Sequence, residues 1–160
     1  MTRRPSKPEA RHAARLAAVQ ALYQMDMAGT DLTNVIEEFT TYRFKQDQGE
    51  YGPQPPDATF FAELVRGVVR RQREIDPVVD QQLAIGWRLV RVDSIIRASL
   101  RAAMFELIDR PDVPARVVIN EYINVAKAFF DDDGPKVVNG VLDRLARRYR
   151  PEEFAEKSGA

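Results

Sequence analysis

Apolar residues recur at spacings of three and four along almost the whole chain, and this period is the feature that most limits the possible folds. The spacing places side chains on one face of an α-helix, whereas a strand needs strict alternation. Residues 115–130 carry two adjacent apolar stripes: Val118, Tyr122, Val125 and Phe129, and Ile119, Ile123, Ala126 and Phe130. Because such a helix is apolar over much of its circumference, we expect it to be the central buried helix of an all-α protein.

Two helices are predicted before the first loop. The first begins near Pro8, and Gly29 directly after Ala28 is typical of the glycine that ends a helix. A short second helix is indicated by four residues at helical spacing: Val35, Ile36, Phe39 and Tyr42. We expect a mobile loop over residues 43–57, because residues 46–57 include three prolines and two glycines.

Capping residues predict where the next helices begin. Asp57 is expected to cap a third helix, and Asp76 a fourth, because the Pro77 that follows it is tolerated at the first helical position. Gly86 and Trp87 are expected to interrupt the fourth helix, with Trp87 packed in the core or at the junction. A fifth helix is predicted over residues 93–109, which an Arg-Pro pair then ends.

The segment DDDGPKVVNG, residues 131–140, contains two conflicting signals. Asn139 and Gly140 are typical of a hairpin turn, but too few residues lie between them and Pro135 to form a strand. Helical spacing continues instead through four apolar or aromatic residues: Val138, Leu142, Leu145 and Tyr149. The sequence therefore predicts a helix capped by Asp133 or Gly134. A glycine inside a helix costs about 1 kcal/mol relative to alanine, so we expect a neighbouring helix to approach the backbone at Gly140.

Charge is balanced overall but concentrated at the start of the chain. The 160 residues include 24 basic and 24 acidic side chains, yet residues 1–15 carry five cations against Glu9 alone. The cations are Arg3, Arg4, Lys7, Arg11 and Arg15. Residues 1–7 are predicted to form a flexible basic arm, which is typical of RNA- or DNA-binding proteins but also common as a solvated terminus.

The basic residues continue into the first helix. Arg11 and Arg15 lie one turn apart, so both guanidinium groups are expected on one exposed face. A fixed cationic face loses less entropy on binding phosphates than a loose tail does. Tyr23, further along, can stack on an unpaired base or belong to the core.

Several function classes are excluded by composition. The chain has no cysteine and a single histidine, His12, so disulfides, thiolate metal sites and a Ser-His-Asp site are not expected. We find no nucleotide-binding glycine motif, and the acids at residues 131–133 lack the spacing of a calcium loop. The sequence therefore predicts no enzyme, cofactor or metal. It also lacks an apolar run long enough for a membrane span, and a cytoplasmic location is expected.

Three segments resemble the NusB family of bacterial transcription antitermination factors: ARHAARLAAVQALYQMD, DVPARVVINEYINVAKAFF and KVVNGVLDRLA. The resemblance extends from about Arg11 to Tyr149 and is weakest across residues 43–57. It implies a single all-helical domain over residues 1–160, with about seven helices in two packed halves. Residues 151–160 are expected to form a tail, and no enzymatic activity is implied.

The resemblance also implies partners. NusB proteins pair with the small-subunit ribosomal protein that acts as NusE, and the pair binds boxA, a single-stranded element in ribosomal RNA leader transcripts. The complex then helps RNA polymerase to read through terminators. An alternative is a helical module that acts through protein contacts or as a homodimer. NusB-like domains also occur fused to RNA cytosine methyltransferases, but the chain ends at residue 160, which favours a separate factor.

The family pattern implies an RNA-binding site made of two sets of residues. The first set is Arg11, His12, Arg15 and Tyr23, and the second is Asp133, Lys136, Val137 and Asn139. His12 stands where arginine is expected, so one charge is lost near neutral pH. Val137 stands where an aromatic residue is frequent. The NusE-binding surface is expected on exposed positions of the helices at about residues 76–105.

Overall fold

The computed structural model describes residues 7–46, 49–52, 54–86, 94–130 and 133–155. These residues form helices joined by turns, with no strand among them, so the all-α prediction is confirmed. Several predictions concern residues outside the described ones: most of the basic arm, the packing of Trp87, the first two acids of the run at residues 131–133, and residues 156–160 of the tail.

Seven α-helices lie in the described part of the chain, as predicted. They are α1 (Lys7–Ala28), α2 (Leu32–Glu37), α3 (Ala58–Arg70), α4 (Gln72–Gly86), α5 (Ser94–Asp109), α6 (Ala115–Lys127) and α7 (Asp133–Tyr149). A π-helix, Glu38–Arg43, continues α2, and a short 3-10 helix, Pro151–Glu153, follows α7. The chain divides into two compact units, Met1–Arg73 and Glu74–Ala160, and each is described by itself. That the two form one domain stays a prediction.

Local signals place the ends of α1 and α3 as predicted. Gly29 has a φ of +70°, which favours glycine, and its N–H donates to the Met25 carbonyl at 3.0 Å to end α1. The Asp57 carboxylate accepts from the Phe60 N–H at 3.0 Å and caps α3. The Asp57 N–H also donates to the Ala10 carbonyl at 3.0 Å, which joins the start of α3 to α1.

A wide π-turn organises the aromatic residues of the first unit. Within it, the Phe44 N–H donates to the carbonyl of Phe39, five residues earlier, at 2.9 Å. The Phe44 and Phe39 rings both pack on Phe61, with centroids 5.1 and 5.3 Å away. Tyr42 is 57% exposed, so its predicted place on the apolar stripe of a regular helix is wrong.

Tyr51 anchors the loop that the sequence places at residues 43–57. Its ring is buried and lies 5.6 Å from the Phe44 ring, and its hydroxyl donates to Gln20 Oε1 at 2.8 Å. The proline and glycine content of the segment gave no sign of this contact. Mobility of the loop stays a prediction, and the anchor limits where such motion can occur.

The central helix of the second unit is α5. Every side chain in residues 98–107 is buried, whereas α6 exposes one face and leaves Val117 41% exposed. The prediction that α6 is the central helix is therefore wrong. Polar residues on α5 obscured its burial, because each finds a partner inside. Glu106 accepts a hydrogen bond from the Tyr122 hydroxyl at 2.6 Å, and Arg101 Nε lies 2.9 Å from an Asp76 oxygen.

Asp76 has a different role from the predicted one. Helix α4 begins at Gln72, so Pro77 lies inside it and Asp76 does not cap it. The Asp76 carboxylate instead pairs with Arg101, and Arg97 Nη2 lies 3.5 Å from its other oxygen. A carboxylate used by an ion pair with α5 is not available to cap its own helix. The predicted interruption does agree with the end of α4 at Gly86.

The side chain of Arg150 closes the second unit at one end of α5. It is 4% exposed, and its five N–H groups all find acceptors: Glu153 Oε2 at 2.6 Å and the carbonyls of Glu106, Leu107, Arg110 and Val113 at 2.8 to 3.1 Å. The other Glu153 oxygen accepts from the Ala115 N–H at 2.9 Å. Glu153 thus supplies the cap that Pro114, at the N-cap of α6, has no side chain to provide.

Helix α7 is confirmed at the segment where hairpin and helix signals compete. It begins at Asp133, so Asp133 and Gly134 lie in its first turn, and their predicted capping role is wrong. The predicted close approach at Gly140 is also wrong, because a Cβ there would meet only Arg144 Nη1, at 3.8 Å. The close approach is at Gly134, where a Cβ would lie 2.8 Å from Phe130 Cβ and Cγ.

Alanine substitutions at the two glycines of α7 should have opposite effects. Gly140→Ala should raise the free energy of unfolding by about 0.4 to 1 kcal/mol, because alanine favours the helix and its Cβ would make only an ordinary contact with Arg144. Gly134→Ala should lower it by roughly 1 to 3 kcal/mol through overpacking against Phe130. Urea denaturation of both variants measures the difference. Equal shifts in the two midpoints would contradict the proposed contact at Gly134.

Glu153 should make stability depend on acid pH. Hydrogen bonds from the Ala115 N–H and from Arg150, with the Arg150 charge, lower the pKa of Glu153 from its ordinary value of 4.5, against a raising effect of burial. A lowered pKa means that the carboxylate stabilises the fold above about pH 4.5 and loses this effect as pH falls through the folded-state value. The unfolding free energies of wild type and Glu153→Gln should therefore differ near neutral pH and converge in acid. Glu152→Gln, at an exposed neighbour, is the control, and a constant difference from pH 7 to pH 3 would refute the expectation.

Candidate nucleic-acid interface

Two arginines of α1 lie against one aromatic ring. The guanidinium carbons of Arg11 and Arg15 are 5.1 and 5.0 Å from the centroid of Phe60 on α3. Cation–π attraction of this kind contributes about 0.5 to 2 kcal/mol, more when the cation is removed from water. Phe60 therefore holds both cations in place before any ligand binds.

The predicted exposed face is present only in part. Arg11 is half-buried, and Arg15 is 2% exposed, so the expectation that both guanidinium groups face solvent is wrong for Arg15. The reason is the alanine-rich face of α1, which lets α3 pack closely and encloses the long side chain. The buried alanines are Ala10, Ala13, Ala14, Ala17, Ala18 and Ala21. Their spacing is the sequence signal that could have predicted this burial.

His12 and Tyr23 complete the first predicted set. Both are half-buried, so each has a surface available to a ligand. Tyr23 lies twelve residues after Arg11, which corresponds to about 18 Å along the helix. A bound strand would therefore meet Tyr23 several nucleotides away from Arg11. The structure brings Arg11 and Arg15 together at Phe60, but it does not make one compact group of all four residues.

The second predicted set lies on the first turns of α7. Asp133, Lys136 and Asn139 are exposed and spaced by three, so they follow one side of the helix. Within the described part of the chain, no hydrogen bond or ion pair engages these three side chains. A cation and an amide suit phosphate and base-edge contacts, whereas Asp133 repels phosphate. Val137 is half-buried and offers no ring for stacking.

Not every basic residue of the first unit is available to a ligand. The Arg43 guanidinium lies 4.3 Å from the Phe39 ring centroid and 3.2 Å from a Glu38 oxygen. Gln24 donates to the other Glu38 oxygen at 3.2 Å. Through these contacts, Arg43 and Glu38 hold the π-helix against α1. Sequence reasoning missed this cluster, although Phe39 and Glu38 lie only four and five residues before Arg43. It also missed Phe60, whose arginine partners on α1 are distant along the chain.

Comparison with known proteins identifies the family. A model of the NusB family matches residues 12–147. The chain belongs to the NusB family. The transcription antitermination protein NusB of Rhodopseudomonas palustris (strain TIE-1) is 49% identical, over 94% of this chain and 86% of its own length. That of Bartonella tribocorum is 51% identical, over 91% and 94%. The NusB family is not one of enzymes, as the resemblance implied.

Solved NusB structures share the fold. NusB of T. maritima is 31% identical with a TM-score of 0.70, over 90% of this chain and 96% of that one. A complex of the antitermination factors NusB and NusE with double-stranded RNA matches with a TM-score of 0.69 and 28% identity, over 88% of this chain and 98% of that one. In the described residues of the present chain, no helix is long and apolar enough to cross a membrane, and no group of three potential metal ligands occurs.

Proposed function

We propose that this chain is a transcription antitermination factor that binds boxA-type single-stranded RNA of ribosomal RNA leaders together with a NusE-type ribosomal protein. In the cytoplasm, the pair joins the RNA polymerase antitermination complex and supports read-through of terminators. The observation that carries the RNA and NusE partners is the solved relative that combines NusB with NusE and double-stranded RNA and matches most of this chain. The single-stranded boxA target rests on the family resemblance. The relatives named as antitermination proteins, at about half identity, support it.

The α1 residues have distinct roles in the proposed interface. Arg11 is held over Phe60 but remains half-exposed, so it can bind a phosphate with little loss of side-chain freedom. Arg15 is buried, and we assign it to fixing Phe60 and adding positive potential beneath the RNA. His12 offers a hydrogen bond beside Arg11, and Tyr23 a ring on which an unpaired base stacks.

The α7 residues combine attraction with repulsion. Lys136 supplies a positive charge for phosphate, and Asn139 supplies an amide that can donate to and accept from a base edge. Asp133 is exposed beside them and disfavours a close phosphate backbone. Its carboxylate can instead accept from a base amino group, so the set favours a strand that presents bases there. Asp133 is thus proposed as a selectivity residue.

RNA binding tests the proposed function directly. The purified chain, alone and mixed with its NusE-type protein, is titrated into a labelled boxA-type single strand, a scrambled strand and a duplex of the same sequence. We expect the mixture to bind the boxA-type strand most tightly. Binding that ignores sequence, or no binding with the partner present, would reject the proposal. Sizing chromatography of the free chain tests the alternative of a homodimeric module without strong RNA binding.

Two substitutions on α7 should change RNA affinity in opposite directions. Lys136→Gln should weaken binding to all sequences and reduce the slope of log affinity against log salt by about 0.7, the value for one phosphate contact on a single strand. Asp133→Asn should tighten binding, most at low salt, because it removes the repulsion of the phosphate at Lys136 while its amide oxygen can still accept from a base amino group. Unfolding midpoints serve as the folding control. An unchanged low-salt affinity for Asp133→Asn would place the RNA away from this turn.

A further inference from the structure

Four arginines lie within eight residues where α3 ends and α4 begins. This α3–α4 arginine group consists of Arg66, Arg70, Arg71 and Arg73. Arg66, Arg70 and Arg73 are exposed, and Arg71 is half-buried. The whole group belongs to the first unit and is separate in sequence from the basic residues of α1. A second cluster of four arginines lies at residues 144–150, but there Arg150 is buried and Arg147 is paired with Asp143.

Two of these arginines differ from arginines of the second unit that ion pairs hold in place. Arg97 pairs with Asp80 at 2.9 Å, Arg110 with Asp112 at 2.9 Å, and Arg147 with Asp143 at 3.2 Å. The side chains of Arg66 and Arg73 form no hydrogen bond or ion pair with any described residue. Their charges are therefore not used to hold the fold.

The position of Arg66 is unfavourable for the free helix. Arg66 and Arg70 lie four residues apart on the exposed side of α3, and like charges at this spacing destabilise a helix. Arg70 is in the last turn, where the helix dipole favours a cation, but Arg66 is a turn further from that end. Glu63, which is half-buried, is the only carboxylate of α3. An anionic ligand at Arg66 would weaken this like-charge repulsion.

Helix α3 connects this group to the proposed RNA-binding residues of α1. It starts beside Ala10, and its Phe60 lies under Arg11 and Arg15. Arg66 and Arg70 follow Phe60 by six and ten residues, or about 9 and 15 Å along the helix axis. A strand bound at Arg11 therefore has further cations within the reach of a few nucleotides.

We propose that Arg66, Arg70 and Arg73 bind phosphates of the RNA that flanks the boxA-type element, an inference that rests on the proposed function. The planar guanidinium group matches phosphate oxygens in a two-pronged contact. Residues 66–73 contain no aromatic side chain on which a base could stack. The contact therefore adds affinity that does not depend on the flanking sequence.

The test uses the complex with the NusE-type protein and two single strands, the boxA-type element alone and the same element with flanking nucleotides on both sides. The double variant Arg66→Gln/Arg73→Gln removes two charges. Its matched control, Arg116→Gln/Lys127→Gln, removes two exposed charges of α6 in the second unit. On the longer RNA, the double variant should reduce the salt slope by roughly 1.4, for two phosphate contacts, and weaken binding. The short RNA and the control variant should show little change.

The possible failures are distinguishable. If the wild-type complex does not bind the short RNA, the proposed function fails and the inference with it. If the wild-type complex binds both strands but the double variant keeps the wild-type salt slope on the longer RNA, only the inference is overturned. If the control variant loses as much RNA affinity and salt slope as the double variant, the effect comes from net charge, and the inference is also overturned. The inference is also overturned if the double variant binds the NusE-type protein more weakly in the absence of RNA but keeps the salt slope of RNA binding. That result would identify an acidic protein surface as the partner. Unfolding midpoints of both variants verify that each is folded.

Discussion

The guanidinium group of Arg150 makes possible the burial of residues 98–107 of α5 close to the C-terminal end of that helix. A helix leaves its last carbonyls without partners, and water cannot reach them when the surrounding helices cover every side. Arg150 donates to carbonyls at and after the end of α5 and, through Glu153, fixes the first N–H of α6. Its five donors would be costly to bury without this complete set of acceptors. The short connection between α5 and α6, and the packing of α6 and α7 on α5, depend on it.

The first unit depends on a different constraint, the small side chains of α1. Six buried alanines of α1 let α3 pack closely, and the space between the two helices then holds Arg15 with Phe60. A row of larger residues would push α3 away and return Arg15 to solvent. The cationic character of α1 at its surface is therefore set by packing as well as by sequence, because packing decides which of its cations a ligand can touch.

Signals that act within one turn of the chain could be predicted from the sequence. Gly29 ends α1 and Asp57 caps α3 because each needs only neighbouring backbone atoms. Features decided by a distant partner could not be predicted. Asp76 pairs with Arg101, twenty-five residues later, and so does not cap its own helix. For the candidate site, the residues on α1 and α7 stay a prediction that the family resemblance implies, and the burial of Arg15 could not be predicted because it requires knowing that α3 packs there.

Arginine serves folding and, in the proposed interface, RNA binding, and the partner of each side chain separates the two roles. Arg150 has an acceptor for each donor, Arg15 lies buried over a ring, and Arg66 has no described partner. A net charge of zero therefore does not argue against RNA binding. Carboxylates in ion pairs neutralise the cations they hold, and because those pairs are short, their fields are weak beyond a few ångströms. At the α3–α4 arginine group, the field that an approaching phosphate meets therefore comes mainly from Arg66 and Arg73, which no described carboxylate pairs.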